Sequence, residues 1–441
     1  MGRKRSARYR PETTLAPIAF DSELETTARQ LFELACCGSR ELWHSMSPGV
    51  LLEDPSLREK FYELANAGMF EAQQIIIGKI TSAEPPSLHA EVLYRAICDS
   101  IAWQFLGDQL CHARQLYKDH RQPTLAESNF PSVIRVVDEL RNSSPNSMPL
   151  ICDLTSFVQV GDIFLSDPGK AFNLIEVKEG RENRRIAQLV QFYKASECER
   201  FMQVLNDTEP KHVVKQFERN LRQMSRLDHF AAIMNKGDSV DPDTGNRHII
   251  PEPFIEVATW HQQLNATIEK AKVKGWAIDT IDDCLFVGCY VEKHFLHGGH
   301  IIFNTWLDKY GGDQSSPRAR LVDSMHIPLA LPLFNRGLPP EAIFDLMFGR
   351  MHVCMGISIP KLIEQCTKDG ISSRVATGKE QGKLLKRGGG QVRYQGKPVF
   401  VRLGEREIVL MEGLFMRALF HGQKPVSVIR SHLENPVSVA E

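Results

Sequence analysis

Between Ser22 and Asp119 apolar residues recur three and four positions apart, in "SELETTARQLFELACCG", "SLREKFYELANAGMFEAQQIIIGKI" and "SLHAEVLYRAICDSIAWQFLGDQLCHARQLYKD". That spacing lines one face of a helix. "MSPG" and "SAEPPS" punctuate the ends, so residues 1–120 are expected to form a helical region. The period then changes. "ESNFPSVIRVVDELRN" reads as a helix, "PLICDLTSFVQV", "DIFLS" and "AFNLIEVK" as three short strands, and "ENRRIAQLVQFYKASECERFM" as another helix. Strands between helices form an α/β layer, and "IDDCLFVGCYVE" at 281–292 has the composition of a further strand of the same sheet.

The stretches "KHVVKQFERNLRQMSRLDHFAAIM" and "FIEVATWHQQLNATIEKAKVK", with the linker "NKGDSVDPDTGNRH" between them, read as a helical insertion at about 205–275. Beyond 300, helices are expected at 340–352 and 359–369. Hairpins are expected in "KLLKRGGGQVRYQGKPVFVRLGEREIVLMEG" from its Gly-rich breaks and alternation. The chain therefore divides into a helical region (1–120), an α/β core with its insertion (121–300) and a mixed α/β region (301–441).

Composition narrows the class of protein. With 42% hydrophobic and 24% charged residues the chain of 441 is of soluble globular type, and no apolar run nears the ~20 residues that cross a bilayer. No membrane association is expected. The ten cysteines include no Cys-x-x-Cys and sit mostly in apolar segments, which implies free thiols in a reducing compartment, the cytoplasm. The basic start "MGRKRSARYR" lacks a following apolar stretch, so it is not expected to be a secretory signal. Gly2 and Ser6 match a two-position myristoylation pattern that carries little weight. A formal net charge of -1 means that affinity for a nucleic acid must come from local patches.

The stretch "GDIFLSDPGKAFNLIEVKEG" (161–180) poses the chemical question. Glu176 and Lys178 lie two apart in a strand-forming run and so share a face, while Ile175 and Val177 supply the burial. "DPGK" is a turn signal, so the flanking strands should form a hairpin that brings Asp162 near Glu176. Two carboxylates and an ammonium on one face are compensated by a hard divalent cation. Such a cation activates water and neutralises charge on a phosphate. A two-residue turn at Pro168-Gly169 would aim Asp162 at the opposite face. A shared face requires an odd-length loop or a β-bulge between 161 and 176.

Asp162 followed by "EVK" resembles the Asp...(Asp/Glu)-x-Lys signature of the PD-(D/E)xK nuclease superfamily, with Gly161 where the proline would stand. The resemblance covers about 124–203, extending to 292 if the last strand belongs. It implies a fold of class α/β (α+β), a mixed-sheet αβββαβ core between the helical N-terminal and mixed C-terminal regions. It also implies cleavage of nucleic acid, DNA foremost, with Mg2+ or Mn2+, in a setting such as prokaryotic defence or DNA repair. Asp162, Glu176 and the carbonyl of Val177 would be metal ligands, and Lys178 the group that orients water or stabilises charge. Glu127 fits the glutamate many members carry on the preceding helix better than Asp138 or Glu139. Gln188 and Gln191 are candidates for the glutamine that recombination-type members carry on the following helix, although Phe192 stands where their tyrosine would follow Gln188.

Basic side chains mark the expected nucleic-acid surface. Arg181 and Arg184 share a helix face with the two glutamines, behind an N-terminal dipole that favours phosphate. Lys211, Lys215, Arg219, Arg222 and Arg226 form a stripe opposite Val214, Phe217, Leu221 and Met224. A second basic concentration at 374–406 includes Lys386, Arg387 and Arg393, interleaved with Tyr394 and Phe400. Either surface also reads as an ordinary solvated face. A homodimer or a partner protein is left open. Two other readings are a nucleic-acid-binding module that keeps the fold without turnover, and a metal-independent HEPN-type ribonuclease, whose Arg and His motif Arg114 and His120 resemble. His294, His297 and His300 have no spacing suited to one zinc.

Overall fold

The computed structural model describes residues 21–38, 42, 54–82, 86–118, 124, 125, 128, 130–167, 172–178, 180–196, 198, 200–250, 257–311 and 316–434. The chain is mixed α/β and divides into two compact units, Gln30–Phe254, and Met1–Arg29 with Ile255–Glu441. Of the helices expected over 1–120, those beyond Gln30 share a unit with the first three strands, the segment up to Arg29 belongs to the other unit, and the insertion expected over 205–275 is split between units. Every strand pairing described is antiparallel. The mixed sheet expected from the resemblance is therefore corrected to small antiparallel sheets.

The helical reading of the N-terminal third holds over α1 (Ser22–Phe32), α2 (Pro55–Ile80), α3 (Leu88–Phe105) and α4 (Leu110–Leu116). Asp54 caps α2 by accepting from the N–H groups of Ser56 and Leu57, with Pro55 at the first position, where its missing N–H costs nothing. The apolar pattern runs on from α3 into α4, but Gly107 and Asp108 both adopt φ 56°, a left-handed pair that no helix continues through. The Gln73 amide on α2 donates to Pro149 O at 3.0 Å and accepts from Ile151 N–H at 3.0 Å. A side chain thus takes the place of a neighbouring strand along β1 (Met148–Ile151) and satisfies a buried edge.

α5 (Phe130–Ser143) precedes β1, and β2 (Ile163–Ser166) and β3 (Asn173–Ile175) complete a sheet in the order β1-β2-β3. β1 and β2 are buried at every residue. β3 is shorter than expected: Glu176, Val177 and Lys178 lie just past its end. The helix expected after Lys178 is two, α6 (Arg181–Ser196) and α7 (Phe201–Thr208), followed by α8 (Lys211–Lys236). Ile186 and Val190 of α6 pack with Leu205, Val213, Val214 and Phe217 in one core. Burial of a side chain the size of Phe217 stabilises by about 2–3 kcal/mol. The expected linker "NKGDSVDPDTGNRH" is instead a two-stranded hairpin, β4 (Asp238–Val240) and β5 (Arg247–Ile249).

In the other unit, α9 (His261–Lys274) packs against β6 (Trp276–Ile281) and β7 (Leu285–Tyr290). Here the sequence reading is overturned at a second point. The strand in "IDDCLFVGCYVE" is β7, whose neighbours are β6 and the strand His352–Ile357, and it takes no part in the sheet of β1 to β3. All six residues of β7 are buried, so its apolar run is explained by its own sheet. The helix expected at 340–352 stops at Met347, Gly349 at φ +70° breaks the helical path, and His352 opens that neighbouring strand. The hairpins near the C-terminus are present: Lys397–Leu403 pairs with Arg393–Tyr394, Ser372–Val375 and Arg406–Val409. Among the described residues, no helix is long and apolar enough to cross a membrane.

Candidate active site

The corner that carries the charges is built by the β2–β3 register. Ile163 pairs with Ile175 and Leu165 with Asn173, an odd-loop register that ends one residue short of Asp162 and Glu176. Asp162 N–H reaches Ile175 O at 2.8 Å, so Asp162 and Ile163 both engage Ile175, the two-against-one count of a β-bulge. Residues 168–170 of the expected turn lie outside the described residues. Gly161 makes the corner geometrically possible. Its φ is +77°, and a Cβ there would stand 3.3 Å from Ile175 O and 3.4 Å from a methyl of Leu227 on α8.

Asp162 is largely buried. Its Oδ2 accepts from Val177 N–H at 2.6 Å. Burial, and then the neighbouring Glu176 carboxylate, push the Asp162 carboxyl up to about 6, against the Val177 hydrogen bond. Asp153, which follows β1, adds to the same repulsion. Lys178 Nζ donates to Glu176 Oε1 at 3.0 Å and to Gln223 Oε1 at 2.9 Å, and Gln223 Nε2 donates to Glu176 Oε1 at 3.1 Å. Glu176 and Lys178 therefore have partners, and the triangle is closed by a residue of α8.

Gln223 is the residue that sequence reasoning missed. It stands four positions before Leu227, on the same helix face, and Leu227 packs at Gly161, so α8 addresses the corner with that face. The only signal in the sequence was a polar residue lodged between the apolar Leu221 and Met224. Gln188 and Gln191, the glutamines expected in this role, are exposed on α6 and form no hydrogen bond with these charges among the described residues. Glu127 and His120 lie outside the described residues. Arg114 lies on α4, exposed.

Carboxylate oxygens suit Mg2+ or Mn2+ by their chemistry. Asp162 keeps Oδ1, and Glu176 keeps Oε2, outside the described hydrogen bonds, and a cation would relieve the repulsion that raises Asp162. These residues fit a hard divalent ion in donor type. Asp153, Asp162 and Glu176 do not, however, draw three ligand atoms together. Among the described residues, the group that does so, within 4.8 Å, is His229, Asp241 and His248.

The expected basic surfaces fare unequally. Arg181, Arg184, Lys211, Lys215, Arg219 and Arg222 are exposed and form no ion pair among the described residues, with Val213, Val214 and Phe217 buried on the other side of α8. Arg226 pairs with Asp243 at 2.6 Å. Near the C-terminus much of the charge is held internally. Arg374 donates to both Glu380 and Glu407, and Arg393 to Gly396 O. Lys386 is exposed, and the side chain of Arg387 lies outside the described residues. No protein-family model matches the chain, and comparisons with curated proteins and with solved structures likewise give no match.

Proposed function

We propose that the chain is a divalent-metal-dependent nuclease that hydrolyses phosphodiester bonds, with DNA as the first substrate to test, and that Asp162, Glu176 and Lys178 form its centre. The observation that carries this reading is the corner past β2 and β3, where half-buried Asp162 bonds Val177 N–H and is raised by the Glu176 carboxylate, itself bonded to Lys178. Mg2+ or Mn2+ would be held by Asp162 and Glu176, and would supply charge neutralisation and activated water when bound. Lys178 would hold a water or a phosphate oxygen, and Gln223, bonded to both Lys178 and Glu176, would fix them. The exposed faces of α6 and α8 would follow the phosphate backbone.

A second reading has its own support. The Glu176–Lys178–Gln223 triangle is neutralised without a metal, as expected of a binding module without turnover. Incubation of plasmid, linear and single-stranded substrates with Mg2+, Mn2+ or EDTA separates the two. Nuclease activity predicts divalent-dependent cleavage that Lys178→Ala abolishes. Binding that is equal in EDTA, with no cleavage of any substrate, supports the module.

A further inference from the structure

The stretch "NKGDSVDPDTGNRHII" (235–250) folds into a short exposed hairpin that two strands alone would hold only marginally. Gly237, at φ +71°, ends α8, and the chain reverses so that Ser239 pairs with His248 and Val240 with Arg247. Asp241 opens the turn. Its Oδ1 accepts from the N–H groups of Asp243 at 2.8 Å and Thr244 at 3.1 Å, which fixes the carboxylate and leaves Oδ2 without a described partner.

Facing the hairpin from the last turns of α8 is His229, with 8% of its surface exposed. Its ring lies edge-on to that of His248, centroids 5.3 Å apart. Among the described residues, the buried Nδ1 atoms of both histidines have no hydrogen-bond partner. The ligand atoms of His229, Asp241 and His248 lie within 4.8 Å of one another. A tetrahedral ion with bonds of ~2.0–2.2 Å spaces its ligands about 3.3 Å apart, so modest side-chain rotation closes the set.

The geometry points to a transition-metal site of zinc class formed by His229, Asp241 and His248, separate from the carboxylate corner and pinning the hairpin to α8. Two imidazoles and one carboxylate suit Zn2+ and its neighbours in the divalent series. They do not suit Mg2+, which favours oxygen ligands and retained water. Three protein ligands leave a fourth position for water or another oxygen donor. The remaining charged groups nearby are Lys118, which acts on His229, and the Arg226–Asp243 pair.

The test uses the full chain, stripped with EDTA and dialysed, then titrated with Co2+ and challenged with Zn2+ or Mg2+. The expected result is one equivalent of Co2+ showing the visible bands of a four-coordinate site, displaced by Zn2+ and indifferent to Mg2+. Asp241→Asn keeps an oxygen to accept from Asp243 and Thr244, and His248→Ala alters a half-exposed strand position. Each variant should weaken Co2+ binding by at least about tenfold with an unchanged far-ultraviolet circular dichroism spectrum. Asp162→Asn should leave the Co2+ spectrum intact, which separates this site from the proposed nuclease centre. The inference is overturned if wild type gives no such bands, if both hairpin variants bind Co2+ as wild type does, or if Asp162→Asn removes the signal.

Discussion

At the scale of the residue, the carboxyl of Asp162 is the most informative group. Its folded pKa of about 6 lies above the ordinary aspartate value of 3.8, so the folded state holds its proton more tightly than the unfolded chain does. Stability from this group is fully present below about pH 4 and is lost as the pH rises through 6. The loss is on the order of 1–2 kcal/mol, discounted from the full shift because the side chain keeps some solvent contact. Asp99, raised to about 6 mainly by burial, titrates in the same window, so the measurement is a difference. Urea unfolding of wild type and Asp162→Asn at pH 4 and pH 7 should show the variant gaining relative to wild type at pH 7, and saturating Mg2+ should cancel that gain. A second prediction concerns Gln223, which touches Glu176 and Lys178 and acts through them. Gln223→Ala should lower the cleavage rate by about 10–100-fold and shift its pH profile, and Gln223→Glu, which cannot donate to Glu176, should not rescue it. An unchanged rate and profile in Gln223→Ala would remove Gln223 from the site.

Among the elements, the β2–β3 hairpin and α8 decide what the charges can do, and the two were unequally legible. Helical periodicity over the first third and the three-strand order after α5 could be read because burial imposes a pattern on each element separately. The odd loop or bulge between Asp162 and Glu176 followed from what the resemblance requires, since the turn signal at Pro168-Gly169 alone gives the opposite parity. The partner of β7 could not: a fully apolar six-residue strand records that it is buried, not which sheet buries it. Gln223 was equally hidden, because the approach of α8 to Gly161 is a long-range contact with no local signature. The hairpin of β4 and β5 was read as a linker because its alternation spans only three residues a strand. At this scale Gly161 is the test. Gly161→Ala forces a left-handed alanine, costing about 1–2 kcal/mol. It should lower the urea midpoint accordingly and reduce cleavage by displacing Asp162. A variant as stable as wild type would mean that the corner tolerates a Cβ.

For the molecule as a whole, net charge near zero conceals an uneven distribution. The cations of α6 and α8 that form no ion pair among the described residues lie in the same unit as Asp162 and Glu176, whereas Arg374, Arg402 and Arg406 near the C-terminus are tied to carboxylates or carbonyls of their own unit. The first set is therefore the better candidate for phosphate contact. Replacing Lys215, Arg219 and Arg222 together by glutamine should weaken binding of a duplex and flatten the slope of log affinity against log salt by roughly 2–3, as measured by fluorescence anisotropy. An unchanged slope would assign that stripe to solvent.

The central claim is that Asp162, Glu176 and Lys178 carry a metal-dependent hydrolysis, and the most direct measurement scores binding and cleavage in the same sample. Labelled DNA is incubated with wild type, Asp162→Asn or Lys178→Ala, in Mg2+ or in EDTA. All three proteins are expected to bind, and only wild type in Mg2+ to cleave. Cleavage by either variant at the wild-type rate, or by wild type in EDTA, would contradict it.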